Sequence, residues 1–170
     1  MSQFSYKFTI PDKSKSVIYT KFNNLDTSCL IDTGANTPIW FRSESSFKRR
    51  FPFAYKTKYT MIITGLGQKP HLDIPVWCIP EYILIDDDGY KVVFKDLLVP
   101  VLNSESYNYH MIISLTMLNR YDFSFSFNNS VSNGFLTLFT PKDTYYVRPV
   151  LTKGYLDKIQ VFSQDELKEG

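Results

Sequence analysis

An all-β domain follows from three features of this 170-residue chain. Fourteen Phe and twelve Tyr make it strongly aromatic, a composition that suits pleated, half-buried surfaces better than helices. Short β-branched and aromatic runs recur between Val17 and Phe139, separated by Asn, Asp and Gly turn residues. Phe123-Ser124-Phe125-Ser126-Phe127 alternates strictly, as a strand buried on one face does. The spacing is that of a closed or folded-over antiparallel sheet. The length allows one domain with a sizeable core.

Residues 17–22 read as a strand, Asn23-Asn24 as its turn, and 25–31 as the returning strand, which ends at Asp32. Ser43 is a candidate cap for a short helical turn over 46–50. Residues 59–63 and 72–79 are joined by the glycine-bracketed tip Thr64-Gly65-Leu66-Gly67-Gln68 and form a β-hairpin. A second hairpin pairs 82–85 with 90–94 across Asp86-Asp87-Asp88-Gly89. That acidic turn lacks the alternating ligands and later Glu of a calcium loop, so it reads as a plain turn. Residues 97–102 and 110–115 are further strands, the second running into a helical turn at 116–120. Segments 123–127 and 135–139 pair around a turn at 128–134, which absorbs the Asn128-Asn129-Ser130 sequon. The charged segment 141–170 leaves this rhythm, with an edge strand around Tyr145-Tyr146-Val147 and then a short helix or a disordered end. The chain thus divides into a domain over 1–140 and a C-terminal extension over 141–170.

Composition removes several function classes. A net charge of +2 is too small for a nucleic-acid partner, and Lys48-Arg49-Arg50 reads as a solvated surface. Trp40 and Trp77 suit the core or the rim better than a stacking platform. Cys29 and Cys78 lie inside apolar runs and read as buried free thiols of a reducing compartment. Together with His71 and His110 they show no zinc-type spacing, so neither a metal nor a cofactor is expected. Met1-Ser2-Gln3-Phe4-Ser5-Tyr6 lacks the charged start and apolar core of a signal peptide. No run approaches the roughly 20 apolar residues of a membrane span. A cytoplasmic protein with no membrane partner is expected.

The chemistry centres on Cys29-Leu30-Ile31-Asp32-Thr33-Gly34-Ala35. An apolar run delivers Asp32 into a glycine turn at the end of a buried strand, where a carboxylate's protonation can be tuned for acid–base work. This motif is followed by the Gly65-Leu66-Gly67 hairpin tip, and then by Ile112-Ile113-Ser114 leading into Thr116-Met117-Leu118. The order resembles that of the retropepsin-like aspartic proteases, single-domain relatives of the retroviral enzymes. Ile79-Pro80-Glu81-Tyr82 and the segment 111–118 are similar to a bacterial branch of that family. The resemblance spans residues 17–139.

It implies a retropepsin-like acid protease barrel with one or two short helices. It implies Asp32 as the catalytic residue and Thr33, Gly34 and Ala35 as its loop. Thr64, Gly65, Leu66 and Gly67 would be a flap over the substrate, and Ile112, Ile113 and Ser114 a supporting segment. Ser114 departs from the pattern, because most of the family has Gly there. Hydrolysis by this route needs two carboxylates about 3 Å apart sharing one proton and titrating as a pair. The chain has a single Asp-Thr-Gly. The second carboxylate must therefore come from a symmetric partner, and a homodimer acting on a peptide or protein substrate is expected. In the family Thr33 would hydrogen-bond across the two-fold axis. Ala35 has no hydroxyl to offer the ionised carboxylate, which implies a less acidic working pH than that of the secreted two-domain relatives. Two other readings stay open. One is a non-catalytic dimerisation or peptide-binding module on the same fold. The other is an unrelated closed β-barrel for small ligands, with Asp32 as a capped turn residue.

Overall fold

The computed structural model describes residues 5–66, 69–127 and 133–139, together with the backbone of 148–152 and 154–160. The strands are β1 (Ser5–Ile10), β2 (Val17–Phe22), β3 (Leu25–Asp32), β4 (Ile39–Trp40), β5 (Tyr55–Ile63), β6 (His71–Ile85) and β7 (Lys91–Pro100). They continue with β8 (Met111–Ser114), β9 (Asp122–Phe127), β10 (Gly134–Phe139), β11 (Arg148–Thr152) and β12 (Gly154–Gln160). Two short helices, α1 (Glu44–Arg50) and α2 (Leu115–Leu118), complete the described chain. The fold is all-β, as expected from the sequence.

The strands form three sheets, ordered β1-β10-β9, β11-β12-β5-β6-β7 and β2-β3-β8-β4. The last of these positions the candidate site. β3 and β4 are consecutive in the chain, yet β8 lies between them, parallel to β3 and antiparallel to β4. The loop from Thr33 to Pro38 must therefore pass over the end of β8. Side chains of a strand alternate between its faces; β8 is buried on both, and β3 on one with Leu30 half-buried on the other. Cys29, Ile31, Met111 and Ile113 enter the larger core with Trp40, Phe47, Tyr82 and Phe94. Ile112 enters a second apolar cluster with Ile39, Phe41, Met61 and Ile63, against which Leu30 packs.

Several elements differ from expectation. Residues 72–79 and 82–85 belong to one strand, β6, and 90–94 and 97–102 largely to one partner, β7. Pro80 has no N–H to give the ladder. The pairing passes from Ile79↔Leu97 to Glu81↔Lys95, and Asp96 adopts a left-handed φ of 49° at that step. The ribbon continues past the proline in the same register. β1 and β4 were not anticipated. The C-terminal extension contributes the backbone hairpin β11–β12, with β12 parallel to β5 at Met61 and Ile62. The strand expected at Tyr145-Tyr146-Val147, the sequon and the terminal helix lie outside the described residues.

The acidic turn holds β1. Lys7 N–H donates to Asp86 Oδ2 at 3.3 Å, Thr9 N–H to Asp87 Oδ1 at 3.1 Å, and the Thr9 hydroxyl to Asp87 Oδ2 at 2.6 Å. Asp86 is buried, and its other oxygen accepts from the N–H groups of Asp88 and Tyr90. No group of carboxylate, His and Cys side chains suited to a metal ion occurs among the described residues. Ser43 caps α1, accepting from Ser46 N–H at 3.1 Å. The basic run that ends α1 is not simply solvated. Lys48 donates to the carbonyls of Pro52 and Ala54, and Arg50 to Thr27 Oγ1 and the Asp26 carbonyl. Cys29 and Cys78 are buried and are not joined in a disulfide. No described helix is long and apolar enough to cross a membrane.

Candidate functional site

Asp32 closes β3, where it lies in register with Ser114 of the parallel strand β8. Beyond it the chain turns sharply, with Ala35 N–H donating to the Asp32 carbonyl at 3.2 Å and Gly34 N–H to the Asp32 carboxylate Oδ1 at 2.9 Å. Glycine leaves the carboxylate undisturbed at this turn. A Cβ on residue 34 would lie 3.2 Å from that same oxygen, tighter than ordinary contacts. Asp32 is half-buried, whereas Thr33 and Gly34 are exposed.

The turn is tied to α2. Leu115 N–H donates to the Ala35 carbonyl at 3.1 Å, and the Thr116 hydroxyl to the Asn36 carbonyl at 3.0 Å. Ser114 is fully buried, 2.7 Å from the Thr116 hydroxyl, and accepts from Met117 N–H at 3.4 Å as the N-cap of α2. Ser114 thus has a local role: it starts the helix against which the aspartate loop is fastened.

Opposite the turn stands the β5–β6 hairpin. A cleft of about 320 Å³ is lined on one side by Asp32, Gly34, Ala35 and Asn36, and on the other by Met61, Ile63, Thr64, Gly65 and Leu66. Ile39 and Ile112 also line it. Gly65 has a φ of 87°, a left-handed conformation that glycine adopts without a Cβ penalty. Leu66 and Ala35 pack on the same apolar cluster, which keeps hairpin and turn together.

A larger groove of about 530 Å³ lies elsewhere, between Phe22, Phe51, Phe53 and Ile83. Its single carboxylate, Glu81, is paired with Lys95. It therefore lacks the free acid that the smaller cleft presents.

Of the residues expected at a site, Asp32, Gly34, Ala35, Thr64, Gly65, Leu66 and Ile112 come together around this cleft. Ile113 faces the larger core, Ser114 acts from beneath, and Thr33 is exposed and does not line the cleft. Gly67 lies outside the described residues. Sequence reasoning missed Thr37, Ile39, Met61 and Ile63, which share the lining. Their signal was the period-two spacing of Met61 and Ile63 on one face of β5. Tyr109 was also missed. Burial, then neighbouring Tyr107, then the Asp32 carboxylate push its phenol pKa up. Phe41 stacks on Tyr107 with ring centres 4.2 Å apart and meets Tyr109 edge-on at 5.7 Å.

No family model matches the chain, and no curated protein does. Among solved structures it is similar to a retropepsin-like aspartic protease from Rickettsia conorii, with a TM-score of 0.49 and 16% identity, over 82% of this chain and 97% of that one.

Proposed function

We propose that this chain is an aspartic endopeptidase whose active site is completed by a second copy. The observation that carries the reading is the cleft in which the Asp32-Gly34-Ala35 turn faces the Thr64-Gly65-Leu66 hairpin tip. A half-buried carboxylate is brought there by a strand whose alternate residues Thr27, Cys29 and Ile31 are buried, and a hairpin with Gly65 at φ 87° stands over it.

The mechanism uses Asp32 from each of two chains. Two carboxylates at hydrogen-bond distance cannot both ionise, so they share one proton. The ionised member takes a proton from a water held between them, and the water attacks the peptide carbonyl. The protonated member polarises the carbonyl oxygen and then supplies the proton that the amine leaving group needs. Gly34 N–H, already on Asp32 Oδ1, fixes the carboxylate plane. The hairpin tip offers backbone groups to the substrate chain and excludes water as it closes. Ile39, Met61, Ile63 and Ile112 offer apolar contacts beside the polar groups of Asp32, Asn36, Thr37 and Thr64.

Asp32→Asn keeps the shape of the turn and removes the acid. It is expected to abolish peptide-library cleavage while retaining the wild-type sedimentation behaviour, and a statine-type transition-state mimic is expected to inhibit the wild type. Cleavage that survives in Asp32→Asn overturns the assignment. A dimer without cleavage at any pH would leave the non-catalytic module as the reading.

A further inference from the structure

His110 stands at the entry of β8, where the parallel ladder with β3 begins. His110 N–H donates to the Ser28 carbonyl at 3.0 Å, and the next pairs are Cys29↔Met111, Leu30↔Ile112, Ile31↔Ile113 and Asp32↔Ser114. The imidazole lies in the same junction. Ser28 N–H points at Nδ1 from 3.0 Å, with the Ser28 hydroxyl also at 3.0 Å. Arg50 Nη2 faces Nε2 at 3.5 Å. The ring stacks on Trp40 of β4, centres 5.7 Å apart, and the Arg50 guanidinium lies over the same indole at 5.2 Å. β4, β8, β3 and α1 thus meet around one half-buried ring.

Each ring nitrogen faces an N–H donor. Either neutral tautomer accepts from one of them, whereas an imidazolium accepts from neither. The charged groups around it make protonation harder still. Arg50 faces it from α1, and Arg42 acts on it from the chain just beyond β4. On the solvent side it shares a recess with Lys21 and Asp26, but Asp26 is 90% exposed and pairs with Lys21. No carboxylate is fixed against the ring by any of these elements.

We propose that His110 is a positioning residue for Asp32: its neutral ring holds the β3–β8 junction closed, and its protonation releases that junction reversibly. Burial first, then Arg50 and Arg42, hold the ring below its ordinary pKa of 6.5. The sign follows from linkage. A ring depressed in the folded state binds fewer protons than in the unfolded chain, so its contribution is full above 6.5 and is lost as pH falls through the folded value. Four pairs beyond the ring lies Asp32↔Ser114. Loosening at the entry of β8 therefore reaches the strand beside which the acid is held. The consequence for catalysis rests on the reading of Asp32 given above: an acid limb of activity would come from frame loosening as well as from the carboxylates.

The test follows the His110 ring by NMR from neutral to acid pH and measures amide protection factors of Cys29–Ile31 and Met111–Ser114 on the same samples. Protection there is expected to fall with a midpoint below 6.5 that coincides with ring protonation, while Phe135–Leu138 of the separate β10 sheet stay protected. His110→Asn places a non-titrating acceptor near Nδ1, and is expected to keep β3–β8 protection through that range and to extend cleavage toward lower pH. Protection that persists through ring titration in the wild type overturns the proposal without need of a variant. So does its loss at the same pH in His110→Asn. If nothing is cleaved at any pH, the protease reading fails, and the protection measurement still decides the role of His110.

Discussion

Single atoms govern two outcomes. Gly34 carries the hydrogen bond to Asp32 Oδ1, and a Cβ there would press on that oxygen from 3.2 Å. The rest of the turn has no conflict with an added methyl, so Gly34→Ala should fold with little change in Tm while displacing the carboxylate by a few tenths of an ångström. Activity is expected to fall on the order of tenfold, because small misplacements of a catalytic group are costly. Steady-state kinetics beside a thermal melt separates the two effects, and a matched loss of both would mean that the turn itself has failed. Cys29 makes the opposite case, a reactive group disarmed by its surroundings. Burial pushes its thiol up to about 12, against the smaller opposing effects of the Tyr82 hydroxyl and Arg50. Since the thiolate is the nucleophile, iodoacetamide at pH 8 should leave Cys29 unmodified in the native protein and label it in denaturant, as read by mass spectrometry. Native labelling would reveal opening of the main core.

At the level of elements, Ser114 links the helix to the acid. It caps α2, lies in register with Asp32, and bonds to the Thr116 hydroxyl that holds Asn36. Ser114→Ala should cost about 1 kcal/mol and Ser114→Gly only a few tenths, the usual ranking at a cap. Thermal melts check the order, and Gly proving worse than Ala would show that the hydroxyl is not acting as a cap. This residue also marks what the sequence revealed. Its place in the Ile112-Ile113-Ser114 segment was legible, because apolar runs and turn residues are local signals. Its use was not, because capping and the Asp32 register depend on β8 passing between β3 and β4. The hairpin that faces Asp32 was legible from Gly65 and the β-branched runs beside it. The continuity of β6 through Pro80 was hidden, since proline within a strand pattern reads as a break, and only the pairing around Asp96 shows how the ribbon accommodates it. β4 has two residues, too few for any periodicity to register.

The whole molecule sets a stoichiometric demand. One chain supplies one Asp-Thr-Gly acid to its cleft, and the proposed chemistry needs two carboxylates sharing a proton. Asp32→Asn chains should therefore poison wild-type chains as well as being inactive themselves. If equal amounts are unfolded together and refolded, random pairing leaves about one quarter of the dimers with two aspartates. Specific activity per wild-type chain should then fall to about half, and total activity to about one quarter of that of an all-wild-type sample. Were Asp32 sufficient within its own chain, total activity would fall only to about half, because every wild-type chain would still work. Wild-type activity should also drop faster than linearly on dilution below the dimer dissociation constant, and recover on reconcentration. Mixing and dilution are independent: one counts aspartates per active unit, the other chains per active unit. A linear response in both would mean that the cleft between Asp32 and the Thr64-Gly65-Leu66 tip acts alone, and that the second carboxylate must be sought within this chain.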